Sequence, residues 1–279
     1  MPVKIGGLKR LRTLTTFVVD KSTGSSIGEL TELTNLQGKL CILNLQNVLD
    51  AMVAFRANLK EKKDLKELEL EWDYSTKEKD VLDMLQPPLK LVKLTLKFYG
   101  GITFPKWFED SAFSNIQFIC LSGCSYPLSL PPLGQLPVLQ ELTIKSMKSV
   151  TTVAVEFYSC NGSSVFRPFQ SLKKLKFDEM PEWEEWLPSP GGGNCLDFAR
   201  HEKLILRKCS NLKLRGNLPN YLRSLKKPSV SSCEVLHERV TPIICSLKKL
   251  SCSGRTCLLS GPTLGGPARH GLFDTFNFN

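Results

Sequence analysis

No stretch of the 279 residues reaches 18 consecutive apolar positions, so the sequence offers no membrane-spanning helix. Residues 1–15 carry basic side chains but neither an apolar core nor a small-residue cleavage site, and no signal peptide is read there. Histidine is scarce, with only His201, His237 and His270, and none of the ten cysteines falls into a CxxC pair. A zinc site is therefore not expected, and reduced thiols in a cytoplasmic or nuclear compartment are. The phosphate-cradling pattern GxxxxGK[ST] is missing: Gly24–Gly28 and the glycines at 191–193 are not followed by Lys and Ser or Thr, so neither ATPase activity nor nucleotide binding is expected of these residues. HExxH is missing too. Glu182, Glu184 and Glu185 crowd one short segment, PEWEEW, where they cannot flank a substrate across a controlled gap, and a solvated turn is the simpler reading. Acidic residues are the minority charge, 27 against 37 basic, leaving a net charge of +10 that raises the question of an anionic partner.

What is present is a repeat. An apolar residue, two others, an apolar residue, one other and a further apolar residue recur along the chain. The pattern is read at Leu11 and Leu14, at Leu40 and Ile42, and at Leu65, Leu68 and Leu70. It returns at Leu91, Leu94 and Leu96, at Ile116, Ile119 and Leu121, at Leu139, Leu142 and Ile144, and at Leu172, Leu175 and Phe177. Weaker copies follow at Leu204 and Leu206, at Leu225 and Val230, and at Leu247 and Leu250. The spacing between middle positions runs from 22 to 33 residues, close to the leucine-rich-repeat period. The longest step, 142 to 175, contains YSCNGSS, read as a small polar loop inserted into one coil.

Each LxL segment is a short strand whose alternate side chains point to opposite faces. One coil cannot bury its own leucines, so coils must stack. The expected architecture is an α/β leucine-rich-repeat solenoid, a curved horseshoe of about ten irregular repeats with a parallel β-sheet on its concave face. The array is expected over 1–250, followed by an irregular tail over 251–279 rich in Gly and Pro. His201 and Pro228 stand where the repeat wants leucine, and the proline removes a ladder donor. A small or sulfur-bearing residue two or three places past the strand (Cys124, Met147, Met180, Cys209, Cys233) is expected to turn inward beneath it. Phe104, Trp107, Phe108, Phe166, Phe169, Trp183 and Trp186 are expected to fill the core behind the sheet, with Trp107 the best alternative candidate for recognition.

Four stretches are more specific than a generic repeat: LQGKLCILNLQNV with the later LKELELEW; VLDMLQPPLKLVKLTLKFYGGITFPKWF; CSYPLSLPPLGQLPVLQELTIKSM; and FQSLKKLKFDEMPEWEEW. In this order the chain resembles the repeat region of plant intracellular immune receptors of the coiled-coil, nucleotide-binding, leucine-rich-repeat class. The resemblance implies a non-enzymatic protein-interaction module that contributes to recognition of a pathogen effector or guarded host protein and to restraint of a nucleotide-binding domain. That domain is expected ahead of the array, so the chain reads as a fragment or truncated product with a sticky N-terminal edge. A non-functional paralogue, or a binding scaffold outside immunity, is the alternative.

The candidate contact surface is read from the outward strand positions. Glu67, Glu69 and Glu71 form an acidic start; Lys93, Lys97, Phe118 and Lys145 lie midway; Lys173, Lys174, Lys176, Lys203 and Arg207 make a basic end. The expected partners are proteins, docking on this charged face. Basic residues do not interleave with stacking aromatics, so no specific nucleic acid is expected. No cofactor or metal is expected.

Overall fold

A computed structural model describes residues 4–21, 25–73, 80–158, 168–187 and 203–213, and the backbone of 227–231. The expected copy at Leu247 and Leu250, the tail over 251–279, Cys233, Phe166 and all three histidines lie outside the described residues.

The LxL segments form strands because leucines on one side share a buried column while their neighbours face out. The strands are β1 (Thr16–Val18), β2 (Gln37–Leu43), β3 (Asp64–Glu71), β4 (Lys93–Lys97), β5 (Phe118–Ser122), β6 (Glu141–Lys145), β7 (Thr152–Val153), β8 (Lys174–Asp178), β9 (Glu185–Trp186), β10 (Lys203–Arg207) and β11 (Lys227–Ser231). Nine of them form one sheet in the order β1-β2-β3-β4-β5-β6-β8-β10-β11, every pair parallel. Strand neighbours in space are thus successive coils in sequence, the arrangement of a solenoid. β11 stays in register through Pro228, which sits opposite Leu204.

Register lines up the repeat leucines. Leu40, Leu68, Leu94, Ile119, Leu142, Leu175 and Leu204 form one inward column, and Ile42, Leu70, Leu96, Leu121, Ile144, Phe177 and Leu206 the next. All fourteen are at most 4% exposed. Each buried leucine contributes roughly 1.5–3 kcal/mol through the apolar surface it removes from water. Behind the strands the chain returns through short 3-10 turns and two helices, α1 (Ala51–Arg56) and α2 (Asp80–Met84).

A left-handed residue ends most rungs. Asn44, Phe98, Gly123, Ser146, Glu179 and Lys208 each follow directly on a strand, with φ between 50° and 70°. The bend turns the chain off the sheet while keeping a lateral bond: the Phe98 amide donates to Ser122, Gly123 to Lys145, Ser146 to Asp178 and Glu179 to Arg207, at 2.8–2.9 Å. Just past it, Cys124, Met147, Met180 and Cys209 turn inward as expected, none more than 1% exposed.

Two expectations are corrected. In the first coil the strand is Thr16–Val18, and Phe17, opposite Ile42, takes the inward place; Leu11 and Leu14 only pack partly buried against the core. The Tyr158 end of the presumed inserted loop is core: Tyr158 is 1% exposed, donates its hydroxyl to the Leu187 carbonyl (2.9 Å) and accepts from Trp186 Nε1 (2.8 Å). Trp186 reaches it because β7 and β9 make a second, two-stranded parallel ladder. Trp107 fills the core as expected: it is only 8% exposed, stacks on Phe108 at 4.2 Å and donates its indole N–H to the Leu82 carbonyl, so the alternative of a recognition anchor falls away.

Candidate protein-binding face

Parallel pairing places the outward side chains of the main sheet in three columns. Nearest the strand starts run Lys39, Glu67, Lys93, Phe118, Glu141, Lys174 and Lys203. Down the middle run Thr16, Cys41, Glu69, Thr95, Cys120, Thr143, Lys176 and Ile205. Toward the strand ends lie Glu71, Lys97, Ser122, Lys145, Asp178 and Arg207. Of the residues expected on this face, all but Lys173 fall in these columns. Lys173 sits one place ahead of β8, its amide bonded to the Gln140 carbonyl and its ammonium to the Gln140 amide oxygen (2.9 Å).

The charges cooperate across the rungs. Lys93 meets Glu67 at 3.5 Å and Lys39 meets Glu69 at 3.3 Å, while Lys97 bonds both Glu69 and Glu71. The acidic start is therefore interleaved with three lysines, a pattern set by strand register. Burial alone would raise the Glu69 carboxyl, but the hydrogen bonds from Lys97 and Lys39 outweigh it and hold its pKa below the usual range. Lys97 is pushed the other way, upward, chiefly by its bond to Glu69. Farther along, Lys174 pairs with Glu141 (2.9 Å) and Lys176 with Asp178 (2.8 Å), with Arg207 3.8 Å from the same carboxylate. At the turn beyond, Glu179 accepts from Lys208 and Ser146, both at 2.7 Å, and these bonds lower its pKa to about 2. Lys203 has no ion pair among the described residues and stands beside Lys174 and Lys227 in register.

Sequence reasoning missed Lys39, Cys41, Cys120 and Asp178 on this face. Lys39 comes before the LxL core of its strand, and Asp178 is 3% exposed beneath Lys176. Their places follow from pairing partners 23–33 residues away, which no local pattern records. Burial raises both the Cys41 and Cys120 thiols, so neither is poised as a thiolate nucleophile. Gly24-Ser25-Ser26-Ile27-Gly28 has the GxSxG spelling of a nucleophile turn. In the fold, Ser26 caps a short 3-10 turn, its hydroxyl accepting from the Gly28 amide at 3.2 Å. No cluster of metal-ligating side chains occurs among the described residues, and none of their helices is long and apolar enough to cross a membrane. What the face presents is fixed, laterally paired charge around a few thiols, hydroxyls and one ring, Phe118: chemistry for contact.

Comparison with known proteins agrees with this geometry. Residues 27–147 match the family described as R13L1/DRL21 leucine-rich repeats. Disease resistance RPP13-like protein 1 of Arabidopsis thaliana is 38% identical over 238 residues, 80% of this chain and 22% of that protein. Disease resistance protein At3g14460 of the same plant is 37% identical over 239 residues, 81% of this chain and 16% of that protein. Disease resistance protein RGA2 of Solanum bulbocastanum is 32% identical over 223 residues, 76% of this chain and 22% of that protein. The chain thus spans about a fifth of the length of the curated relatives it matches. Among solved structures, a leucine-rich-repeat protein of Leptospira interrogans aligns over 84% of this chain and 74% of that chain at 19% identity with a TM-score of 0.30, a likeness too loose to carry an argument. Residues 27–147 are thus similar to the R13L1/DRL21 leucine-rich repeats, and the chain is a leucine-rich-repeat array similar to part of several plant disease-resistance proteins.

Proposed function

We propose that this chain is the protein-recognition module of a plant disease-resistance protein, working in the cytoplasm or nucleus. Its array, taken as 1–250, serves two partners: a foreign or guarded host protein that is recognised, and a nucleotide-binding domain that is restrained until recognition. The relatives' names support the defence role. The single observation that carries the binding role is the outward face of the nine-stranded parallel sheet, a platform on which each of its strands from β2 to β10 places two or three side chains in register. Glu67, Glu69, Glu71, Lys93, Lys97, Phe118 and Lys145 make its first half, and Lys173, Lys174, Lys176, Lys203 and Arg207 its basic second half. The basic half fits an acidic partner surface, because complementary potentials speed encounter and fix register.

The test is association of the full chain with the nucleotide-binding region of a resistance protein of this class, measured at low salt. Reversing Lys173, Lys174 and Lys176 to Glu together is expected to weaken association and its salt dependence. Binding that survives the triple reversal unchanged would remove the basic half from the interface; no association of the parent chain would remove the restraining role.

A further inference from the structure

A cavity of about 410 Å³ opens beyond the carboxyl ends of β4, β5 and β6, past the three charged columns. Three successive turns build it: Phe98 and Tyr99 from the first, Ser125 and Tyr126 from the second, Lys148 and Ser149 from the third. Its volume lies in the range of sites that enclose a small ligand or side chain.

This stretch departs from the rest of the ladder of left-handed turns. Where the other rungs carry Asn44, Ser146, Glu179 or Lys208, the two rungs here carry Phe98 and then Gly123. A bulky ring at φ 58° is an uncommon tenant of that region. A Cβ on Gly123 would stand 2.3 Å from Phe98 Cδ1, so the ring uses space that only glycine leaves free. The two departures depend on each other, and together they keep an aromatic wall on the turn. Tyr99 behind it is fixed: it is fully buried, donates its hydroxyl to the Thr103 carbonyl (3.0 Å) and meets the Trp72 ring edge at 5.4 Å.

The polar side of the cavity is just as selective. Lys148 is exposed and its ammonium has no ion pair or hydrogen bond among the described residues, unlike those of Lys97, Lys174, Lys176 and Lys208. The Ser125 and Ser149 hydroxyls donate to the carbonyls of Gly123 (3.3 Å) and Ser125 (2.7 Å), which leaves oxygen lone pairs to accept from a ligand. One ammonium suits a carboxylate better than a phosphate, which is normally held by several donors. Hydroxyl acceptors suit peptide N–H groups, and the rings suit an aromatic side chain set edge-on or offset.

We propose that this cavity binds an aromatic side chain of a partner protein flanked by a carboxylate. The ring rests against Phe98 and Tyr126, the carboxylate meets Lys148, and the neighbouring amides meet Ser125 and Ser149. The site is separate from the charged face, so its failure leaves the role proposed for that face standing.

The experiment titrates the full chain into the dye-labelled, end-blocked pentapeptide Gly-Glu-Phe-Glu-Gly and follows fluorescence anisotropy. The expected result is saturable binding, weakened about tenfold or more by Lys148→Glu and to a similar degree by replacing both glutamates of the peptide with glutamine. Tyr126→Ala is expected to weaken it as well, and the exposed Lys106→Glu, which makes the same charge change elsewhere, to leave it alone. Because Lys148 is exposed, its variant keeps the fold, which circular dichroism verifies. Absence of saturable binding, equal binding of the glutamine peptide, or full binding by Lys148→Glu would overturn the proposal. N-acetylphenylalaninate is the competitor that separates a peptide from a free aromatic acid. Displacement by the free acid at lower concentration than by unlabelled peptide would overturn the peptide assignment.

Discussion

Lys62 is the most telling single residue of the core. It is 1% exposed, and its ammonium donates to the carbonyls of Leu30 (2.6 Å) and Leu33 (3.1 Å), tying the end of one coil's 3-10 turn to the next coil. Burial lowers its pKa from 10.5 to about 8. Between those values the unfolded chain holds a proton that the native state has shed, so this group makes stability rise with pH across that window; below about pH 8 its full penalty is present. The thiols Cys41, Cys120 and Cys124 act oppositely at the upper end, since burial raises them. A difference measurement separates the two. The stability of the parent minus that of Lys62→Met, from urea unfolding at pH values spanning the window, is expected to climb with pH; a flat difference would refute the assignment. Gly134, in the LPPLGQLP stretch, makes a second residue-scale prediction. A Cβ there would lie 2.3 Å from the Tyr158 carbonyl oxygen and 2.7 Å from its Cα, main-chain atoms that cannot step aside. Gly134→Ala is expected to cost about 2–3 kcal/mol. Gly7→Ala, with nothing within 4 Å of its Cβ, is expected to change stability by less than about 0.5 kcal/mol. Equal unfolding midpoints for the two variants would contradict the packing.

At the scale of the strand, β3 and β4 show how charge is managed on an open sheet. Glu67, Glu69 and Glu71 alternate along one strand, and Lys93 and Lys97 on the next answer them. Lys97→Met leaves Glu71 without its ammonium and Glu69 with Lys39 alone. Its expected cost is about 1 kcal/mol at low salt, shrinking as salt is added, because the pairs are partly exposed and screened. Urea midpoints in dilute buffer and in high salt measure it, and a salt-independent loss would point to packing of the lysine stem instead. The inward half of this strand pair was legible in the sequence: Leu68 and Leu94 announce themselves by period and meet in register. The pairing of Lys97 with two glutamates was not, because it depends on which residues 26 and 28 positions apart come opposite or diagonal, a property of the stacking. The same holds for Phe17, which displaced Leu14 because the first strand is set by its neighbour's register, and for Tyr158, whose polar surroundings in sequence hide the Trp186 that reaches it through a second ladder. The cavity by Phe98 was invisible for a related reason: its walls come from three turns and matter only once stacked.

Among the described residues the molecule is a line of coils in which each strand of the main sheet pairs with its immediate neighbours, so its response to damage depends on position. β5 has β4 on one side and β6 on the other, whereas β1 has β2 as its one strand partner among the described residues. Stability in such an array approximates a sum of coil and interface contributions. Ile119, 3% exposed in the first inward column, bridges two interfaces; Phe17, fully buried, serves one. Either residue truncated to alanine removes comparable buried surface, about 2–5 kcal/mol, yet the consequences travel differently. Phe17→Ala is expected to raise amide hydrogen exchange in β1 and β2 and leave β5 through β8 protected. Ile119→Ala is expected to raise exchange in β4, β5 and β6 together and to open the cavity and the inward thiol of Cys124, which is fully buried in the parent, to thiol-labelling reagents. Exchange confined to β5 in that variant would mean the coils are held by something other than their neighbours, and the account of a stacked, cooperative spine would fail with it.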